Sequence, residues 1–314
     1  MQNTNHKPWA EGRLFSFLMA ALKSISQVML IENALSGFII LIAITIFSYT
    51  LGIITILSAL IANIMGRIGG VEEQTINQGL LGYNSVLTGI ALTLFLTGPY
   101  DWIIALLGAA VTAVFTAAMI HVMKNTGIPV LTFPFIILTW FTLMASYRLE
   151  AFHITSNFVP QDISYWKLEP PENVVWLDAA VHGIGQIFFI SSTLSGILFF
   201  AAVFFAGWKL GLYAVLGNVV ALLTSFFLGG EYDPIELGLY GYNAILTSLA
   251  VAVVFKTNQN RFAFISSIIA TCVTIPLVAS ITTLLQPFGL PALTMPFVLS
   301  TWLFLGARRV MPNL

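Results

Sequence analysis

Long apolar stretches, separated by short polar segments, make up most of the chain. Predominantly apolar runs cover residues 35–65, 79–98, 102–123 and 262–285. A helix that crosses a bilayer needs about 20 such residues, whereas the strands of an outer-membrane barrel are about 10 residues long and alternate in polarity. The pattern therefore predicts an all-α integral membrane protein.

Two blocks of sequence occur twice. SISQVMLIENALSG at 24–37 corresponds to GIGQIFFISSTLSG at 183–196, and GLLGYNSVLTGIAL at 79–92 corresponds to GLYGYNAILTSLAV at 238–251. Both pairs are separated by the same difference in residue number, since 183 − 24 equals 238 − 79. A constant offset indicates an internal repeat and not a chance match of two short motifs.

A third block extends the repeat to the end of each copy. GIPVLTFPF at 127–135 returns as GLPALTMPF at 289–297. The offset of this block, 289 − 127, is larger by three than that of the first two blocks, so a short insertion lies between the second and third blocks. Residues 14–146 and 173–308 are predicted to be two copies of one unit.

Each copy contains about five apolar segments of helix length, preceded by one short apolar segment before a Leu-Ser-Gly sequence. An odd number of spans makes the second copy enter the membrane from the opposite side. The predicted fold therefore has ten transmembrane helices in two inverted halves, a layout in which the solute site lies between the repeats near the membrane midplane. In the first copy we expect the spans at 36–49, 51–66, 79–98, 102–123 and 128–146.

The distribution of positive charge supports this topology. With the N-terminus inside, ten of the twelve Lys and Arg residues fall in cytoplasmic segments, and only Arg148 and Lys167 fall outside. Positive charge is enriched on the cytoplasmic side of membrane proteins. We therefore expect both termini in the cytoplasm. The predicted organisation is a cytoplasmic N-terminal segment at 1–23, a first membrane repeat at 24–146, an outward-facing linker at 147–178 and a second, inverted repeat at 179–314.

Composition agrees with a membrane protein and removes several classes of site. The 314 residues are 58% hydrophobic and 8% charged, with a mean hydropathy of +0.93, far from the values of soluble domains. A single cysteine, Cys272, supports neither a disulfide framework nor a thiolate metal site. The first 23 residues lack the charged-then-apolar pattern of a cleaved leader, so we expect them to be retained.

Ionisable residues near the predicted spans are few, and none is repeated in the other half. Glu32, His121, His182 and Glu236 are the candidates, and we expect His121 at a cytoplasmic helix end. The sequence contains no phosphate-binding glycine loop, no histidine pair at metal-ligand spacing and no Ser/His/Asp set. It therefore predicts no enzyme, no cofactor and no metal site.

The duplicated polar residues are neutral. Such pairs either line a path for a small uncharged solute or join helices by hydrogen bonds. For the two asparagines we expect the structural role, because an Asn side chain can bridge loose backbone groups. The pairs are Gln27 and Gln186, Asn84 and Asn243, Thr88 and Thr247, and Thr132 and Thr294.

Two prolines interrupt the third block of each copy. The first, Pro129 or Pro291, is expected in the first turn of a helix, where the missing amide hydrogen has no cost. The second lies five residues later and cannot donate to the carbonyl four residues before it, that of Val130 or Ala292. In a membrane, free carbonyls are tolerated only inside protein or facing a water-filled cavity. The third block therefore predicts carbonyl and threonine oxygens facing a pore.

This block resembles the signature of urea transporters, Leu-Pro-x-x-Thr-x-Pro-Phe. The signature is intact in LPALTMPF at 290–297 and has Ile for the first Leu in IPVLTFPF at 128–135. The Gly-Tyr-Asn-x-x-Leu blocks and the glutamine-containing helices also resemble that family, in both halves and in the same order. The resemblance covers nearly the whole chain, and the compact length is similar to the bacterial branch.

The resemblance implies ten transmembrane helices plus two short pore helices in two inverted halves. It implies a homotrimer in the inner (cytoplasmic) membrane, in contact with lipid, and neither a cofactor nor a nucleic-acid partner. Each protomer would conduct urea passively through a narrow pore at the interface of the repeats, where apolar walls face the plane of urea and oxygens accept from its amides.

Carried over position by position, the resemblance assigns roles along this pore. Gln27 and Gln186 would head the pore helices, and the two threonines would lie at the centre. Leu30 would flank urea in the outer slot and Phe189 in the inner one. The expected lining consists of Gln27, Leu30, Tyr83, Leu87, Val130, Thr132, Gln186, Phe189, Tyr242, Leu246, Ala292 and Thr294.

An ammonium or small-amide channel is the alternative transport function. An ammonium channel would bring two histidines together in the pore, yet His121 and His182 do not correspond in the repeat. A membrane enzyme or an assembly scaffold would leave the duplicated neutral residues in broken helices without a role.

Overall fold

The computed structural model describes residues 8–156, 158, 160–165 and 175–314. These residues form fourteen α-helices and one antiparallel pair of two-residue strands, β1 (Leu96–Thr97) and β2 (His153–Ile154). The predicted all-α class is thus confirmed for these residues. The helices are α1 Pro8–Gln27, α2 Ala34–Phe47, α3 Tyr49–Ile68, α4 Glu73–Asn77, α5 Gly82–Phe95, α6 Asp101–Met123, α7 Phe133–Ala145, α8 Trp176–Gly185, α9 Thr193–Ala206, α10 Trp208–Phe227, α11 Tyr232–Glu236, α12 Gly241–Leu249, α13 Ala263–Leu285 and α14 Met295–Ala307.

Helix boundaries repeat at the same offsets as the sequence blocks. The first residues of α2 to α5 and those of α9 to α12 differ by the offset of the first two blocks, as 193 − 34 and 241 − 82 show. The first residues of α6 and α7 and those of α13 and α14 differ by the offset of the third block, as 263 − 101 and 295 − 133 show. A π-helical segment, Ala250–Val254, continues α12 to the length of α5. The repeat of sequence is therefore also a repeat of secondary structure.

The helices of the first half follow the predicted spans, with one large difference. The last span was expected from residue 128, but α7 begins at Phe133. Leu131 has a left-handed backbone, with φ of +53°, which a right-handed helix cannot contain. The residues before α7 therefore run as an irregular segment into its first turn.

Four helices in the described part of the chain are long and apolar enough to cross a membrane: α3, α6, α10 and α13 with its extension to Phe288. A fifth span results if α8 and α9, which are bent by 74° at the break between them, are counted as one. The remaining apolar helices are 10–17 residues long. These include α2, α5, α7 and α14, and a helix of that length covers only part of the hydrocarbon thickness.

The two halves meet along α2 and α9. Ser36, near the start of α2, donates to the carbonyl of Ala202, near the end of α9, at 2.9 Å. Ser195, near the start of α9, donates to the carbonyl of Ala43 in α2 at 3.0 Å. The two helices therefore run antiparallel. Because each residue makes the contact that its counterpart makes, the pairing has the reciprocity of a two-fold axis.

Glycines at the start of α2 and α9 allow close helix packing. A Cβ at Gly37 would collide with the backbone of Leu22 in α1, and a Cβ at Gly196 would collide with Val181 in α8. Small residues let helix backbones approach closely in a membrane. The repeated Leu-Ser-Gly sequence therefore fixes α1 against α2 and α8 against α9, and with them the ends that carry Gln27 and Gln186.

Two predicted boundaries fall inside or beside helices. Residues 1–23 were expected to be a separate segment, yet α1 runs through the boundary to Gln27 and buries Ala20 and Ala21. Residues 1–7 lie outside the described residues. The linker was expected at 147–178, and α8 begins within it at Trp176. Of the linker, 157, 159 and 166–174 lie outside the described residues, and β2 pairs with β1 at the end of α5.

Candidate functional site

Two threonines meet where the halves come together at the starts of α7 and α14. The hydroxyl oxygens of Thr132 and Thr294 lie 2.7 Å apart, and each residue is only 2% exposed. Each threonine directly precedes its helix, and neither side chain caps the helix backbone. The resemblance placed both threonines at the centre of the pore; the structure brings their hydroxyls into contact, and their role in transport stays a prediction.

The residue before each threonine has a strained backbone. Leu131 and Leu293 have φ values of +53° and +51°, in the left-handed region that leucine rarely occupies. Such a conformation costs about 1–3 kcal/mol and persists only where the surroundings hold it. The strain turns the chain abruptly at the point where the two threonines meet.

Matching pairs of side chains brace the two leucine carbonyls. In the first half the hydroxyl of Tyr83 donates to Leu131 O at 2.6 Å, and the amide of Asn84 donates to the same oxygen at 3.2 Å. In the second half Tyr242 and Asn243 donate to Leu293 O at 2.6 and 3.2 Å. The Gly-Tyr-Asn blocks therefore act on the proline-containing blocks directly.

The asparagines complete this bracing from their other end. Asn84 Oδ1 accepts from the backbone amide of Phe135 at 3.4 Å, and Asn243 Oδ1 accepts from that of Phe297 at 3.1 Å. The predicted structural role of the two asparagines is confirmed. Tyr83 and Tyr242 were expected on the pore walls; their rings are buried, as are Leu87 and Leu246, which pack in the main hydrophobic core.

The prolines act differently from the expectation. Pro134 and Pro296, not Pro129 and Pro291, lie in the first turn of a helix, so the expected order was wrong. A proline there interrupts no helical hydrogen bond. The carbonyl of Ala292, expected to be free, accepts from the amide of Met295 at 3.3 Å. Val130 and Ala292 are both buried, in the irregular segments that lead to the threonines.

Tryptophans tie each irregular segment to the opposite half. Trp140 in α7 donates to the carbonyl of Pro291 at 2.9 Å, and Trp302 in α14 donates to that of Pro129 at 2.8 Å. Sequence reasoning missed both residues. The repeat could have identified them, because Trp140 and Trp302 correspond to each other: 302 − 140 equals the offset of the third block. The first proline of each copy therefore supplies an oxygen that joins the halves.

Gln27, Leu30, Gln186 and Phe189 lie at the ends of α1 and α8, and all four are half-buried. Leu30 and Phe189 both have φ of +61°, the second matched pair of left-handed residues. The amide of Gln27 donates to Gln78 O at 3.0 Å, and that of Gln186 donates to Ser191 Oγ at 2.7 Å. Each glutamine thus uses one amide hydrogen within the protein, and within the described residues its oxygen accepts no hydrogen bond.

Phe189 belongs to an aromatic cluster on the linker side of the molecule. Its ring centroid lies 5.2 Å from that of Phe95 and 6.3 Å from that of Phe135. The ring of Phe95 in turn packs at 4.7 Å against Phe158 of the linker. Phe189 therefore lies on the side of the molecule that carries the linker. The assignment of Leu30 to the outer slot and of Phe189 to the inner one stays a prediction.

Charged groups stay away from the buried centre. Among the described residues, no Asp, Glu, Lys or Arg is buried, and the buried polar groups belong to Ser, Thr, Asn and Tyr side chains. Glu32, which had no assigned role, forms an ion pair with Lys23 at 2.8 Å on a partly exposed surface. A ring nitrogen of His182 lies 3.1 Å from the carbonyl of Glu236, and His121 lies in the last turn of α6, at a helix end as expected. The described centre is neutral.

The second threonine pair joins helices. Thr88 accepts from Thr112 of α6 at 2.9 Å, and Thr247 accepts from Thr274 of α13 at 3.2 Å. Of the two interpretations, a solute path or hydrogen bonds between helices, the structure contains the hydrogen bonds for this pair.

Comparison with known proteins shows the family of the chain. The family model described as "Urea transporter" matches residues 18–309, which is almost the whole chain. The chain belongs to the urea transporter family. It is similar to urea transporter 1 of Ovis aries, with 26% identity over 312 residues, covering 95% of this chain and 79% of the relative. It is also similar to urea transporter 1 of Mus musculus, with 25% identity over 315 residues, covering 96% and 79%.

Membership of the urea transporter family identifies the chain as a multi-pass membrane protein that transports urea and not as an enzyme. The matched range begins inside α1 and ends just after α14, so both braced threonine segments lie within it.

Proposed function

We propose that this urea transporter is a passive channel whose pore runs between the two halves, with Thr132 and Thr294 at its narrowest point. The observation that carries the proposal is the 2.7 Å contact between the two hydroxyls, which come from opposite halves and are held by matching side chains. Each hydroxyl can accept as well as donate. A passing urea can therefore donate its N–H groups to the two hydroxyl oxygens, and these hydrogen bonds replace the one between the threonines.

The proposed path continues on either side of this pair to residues that are less buried. Gln27 and Leu30 lie at one end, and Gln186 and Phe189 at the other; these residues are half-buried, whereas the threonines are buried. Flat apolar side chains contact the faces of a planar solute, and carbonyl, glutamine and threonine oxygens replace its hydration. The remaining proposed wall residues are Tyr83, Leu87, Val130, Tyr242, Leu246 and Ala292.

Neutral lining favours urea over ions. A buried ion needs a compensating charge, and the described centre offers only hydroxyl, amide and carbonyl groups. Because urea is uncharged, it needs only hydrogen-bond partners along the way. Weak contacts of this kind let the solute leave as readily as it enters, which suits passive conduction without an energy source.

We further propose that the halves form an inverted repeat of ten spans and two pore helices, organised as membrane repeats at 24–146 and 179–314. The antiparallel, reciprocal contact of α2 and α9 supports inversion. Leu107, Val111 and Val114 are exposed on one face of α6, as contact with lipid requires. The cytoplasmic position of both termini, the inner-membrane location and the homotrimer rest on charge distribution and family resemblance.

Flux into proteoliposomes, followed by stopped-flow light scattering, tests the proposed function. Urea, thiourea, ammonium and glycerol are compared at equal osmotic gradients. We expect urea flux that rises almost linearly with concentration and is insensitive to proton and sodium gradients. Saturation at low concentration together with proton dependence overturns the channel mechanism, and faster permeation of ammonium than of urea favours the alternative of an ammonium channel.

A further inference from the structure

A cavity of about 410 Å³ opens beside the irregular segment that leads to Thr132. Its walls include Gly127 and Pro129 at the start of this segment, the residues after α12, and the end of α14 with the residues that follow it. Pro129 lies three residues before Thr132 and accepts from Trp302 of the other half. The cavity therefore adjoins the proposed pore and both halves contribute to it.

Among the described residues, three cations and no acidic residue line this cavity. The cations are Lys256, Arg308 and Arg309, and neutral polar groups such as Gln259 lie between them. In the described part of the chain, the only ion pair is that of Lys23 and Glu32, so none of the three cations is neutralised by a carboxylate side chain there. The cavity is an electrostatically favourable site for an anion.

Arg308 holds the cavity wall. Its guanidinium donates to the carbonyls of Val251 and Phe255 at 2.6 and 3.0 Å and to a main-chain oxygen of Leu314, the last residue of the sequence, at 2.9 Å. Desolvation lowers the pKa of this guanidinium from its ordinary value, but an arginine stays charged at neutral pH. Arg308 thus closes the π-helical end of α12, and because its hydrogen bonds are made within the protein, Lys256 and Arg309 are the cations left to face an anion.

Lys256 and Arg309 are the cations of the cavity whose hydrogen-bond donors are not used within the described residues. Both side chains are exposed, and within the described residues neither makes a side-chain hydrogen bond. The guanidinium of Arg309 lies against Gly127, where a Cβ would come within 2.7 Å of Nη2. A guanidinium fork and a lysine ammonium are the groups that proteins use to bind phosphate and carboxylate oxygens.

The corresponding positions of the first half are uncharged. The counterparts of Arg308 and Arg309 at the offset of the third block are Ser146 and Tyr147, and Tyr147 donates its hydroxyl to the carbonyl of Phe288. A feature that the pore needed would be expected in both halves, as the threonines, tyrosines and asparagines are. The arginine pair of the cavity is therefore an addition to the second half only.

We propose that this cavity binds a phosphate-type oxyanion through Lys256 and Arg309, and that its occupation lowers urea flux through the adjoining pore. The phosphate group belongs either to a free ion or to the head group of an anionic lipid. Binding stands on the cavity alone, whereas the effect on flux rests on the proposed channel function.

Calorimetric titration of the full-length protein in neutral detergent with inorganic phosphate, at constant ionic strength, tests binding without any transport assay. We expect the double variant Lys256→Gln/Arg309→Gln to bind at least about tenfold more weakly than the unmodified protein. Arg309→Lys keeps the positive charge but lacks the guanidinium group, so its affinity for phosphate should fall less. Arg148→Gln, at a cation outside the cavity, is the matched control and should bind as the unmodified protein does.

Absence of heat in the unmodified protein, or equal binding by the double variant, overturns the site. Because this readout does not depend on urea, it remains decisive even if the protein proves not to be a channel. A double variant that elutes as an aggregate is replaced by Arg309→Lys, for which unchanged affinity likewise counts against the site.

Urea flux in two kinds of proteoliposome then distinguishes the sources. In phosphatidylcholine vesicles, a decrease on adding inorganic phosphate to both sides supports a free ion. A decrease that requires phosphatidylglycerol in the vesicle, without added phosphate, supports a lipid head group. In either case the double variant should show no decrease. Phosphate binding without any change of urea flux in either vesicle overturns the regulatory part of the proposal.

Discussion

The hydroxyl of Thr132 lies 2.7 Å from that of Thr294, although the two residues are far apart in the chain and belong to different halves. Each lies beside a left-handed leucine whose carbonyl is held by a tyrosine and an asparagine of its own half. The contact is therefore the meeting point of two identically braced segments. This geometry allows separate tests of solute passage and of the frame that supports it.

Valine substitutions at the centre should lower urea flux. Thr132→Val or Thr294→Val removes one hydroxyl and leaves the other without its partner in a buried position. One lost hydrogen bond contributes about 1 kcal/mol, which corresponds to roughly a fivefold lower flux. Stopped-flow light scattering on proteoliposomes with equal protein content measures the change.

The same helices provide matched controls for this experiment. Thr139 in α7 and Thr301 in α14 are buried threonines whose hydroxyls make no hydrogen bond within the described residues. Thr139→Val and Thr301→Val should therefore leave flux unchanged. Equal losses in all four variants would assign the effect to general packing and not to a position in the pore.

Removing the tyrosine hydroxyls should destabilise the frame. Tyr83→Phe takes one of two donors from Leu131 O, and Tyr242→Phe does the same for Leu293 O. We expect the free energy of unfolding to fall by about 1 kcal/mol in each case, because the asparagine hydrogen bond to the same oxygen stays. Thermal unfolding in detergent checks it, with the exposed Tyr100→Phe as control. An unchanged midpoint for both buried variants contradicts the bracing role.

Exchange of the slot side chains should change selectivity between urea and thiourea. Phe189→Leu removes ring contacts with Phe95 and Phe135, which contribute about 0.5–1.5 kcal/mol beyond their buried area. We expect a lower ratio of urea to thiourea flux, because a leucine presents a less flat surface. Leu30→Phe should raise the ratio. If both variants have the same ratio of urea to thiourea flux as the unmodified protein, these two side chains do not select the solute.

Single cysteines should reveal the membrane topology. In a Cys272→Ser background, Arg148→Cys is expected to react with an impermeant maleimide on intact cells, because the linker faces outward in the proposed arrangement. Lys124→Cys and Arg309→Cys should react only after permeabilisation. Labelling of all three from one side would contradict the inverted arrangement of the halves.

Periodicity and repetition determined much of this protein. The length of the apolar stretches predicted a helical membrane protein, since only a spanning helix needs so many apolar residues in a row. The constant offsets predicted two copies, and the helix boundaries recur at those offsets. The proline-containing block identified the family, and the resemblance placed Thr132 and Thr294 at the centre of the pore, a role that stays a prediction.

The sequence did not determine the local backbone or the partners of the side chains. It placed Pro129 in a first helical turn, but Leu131 is left-handed and α7 begins at Phe133, because Tyr83 and Asn84 hold the Leu131 carbonyl from another helix. Such a conformation is stable only through contacts that are distant in sequence.

The tertiary structure also decided which features belong together. The tryptophan bonds between the halves, for example, join residues far apart in the chain. The same holds for the aromatic contacts of Phe95 with Phe189 and Phe158, and for the cationic cavity at the end of α14. Hydrophobic pattern fixes which segments are helices, since burial in lipid depends on each segment alone. Hydrogen bonds between segments depend on packing, and packing is decided only when the halves meet.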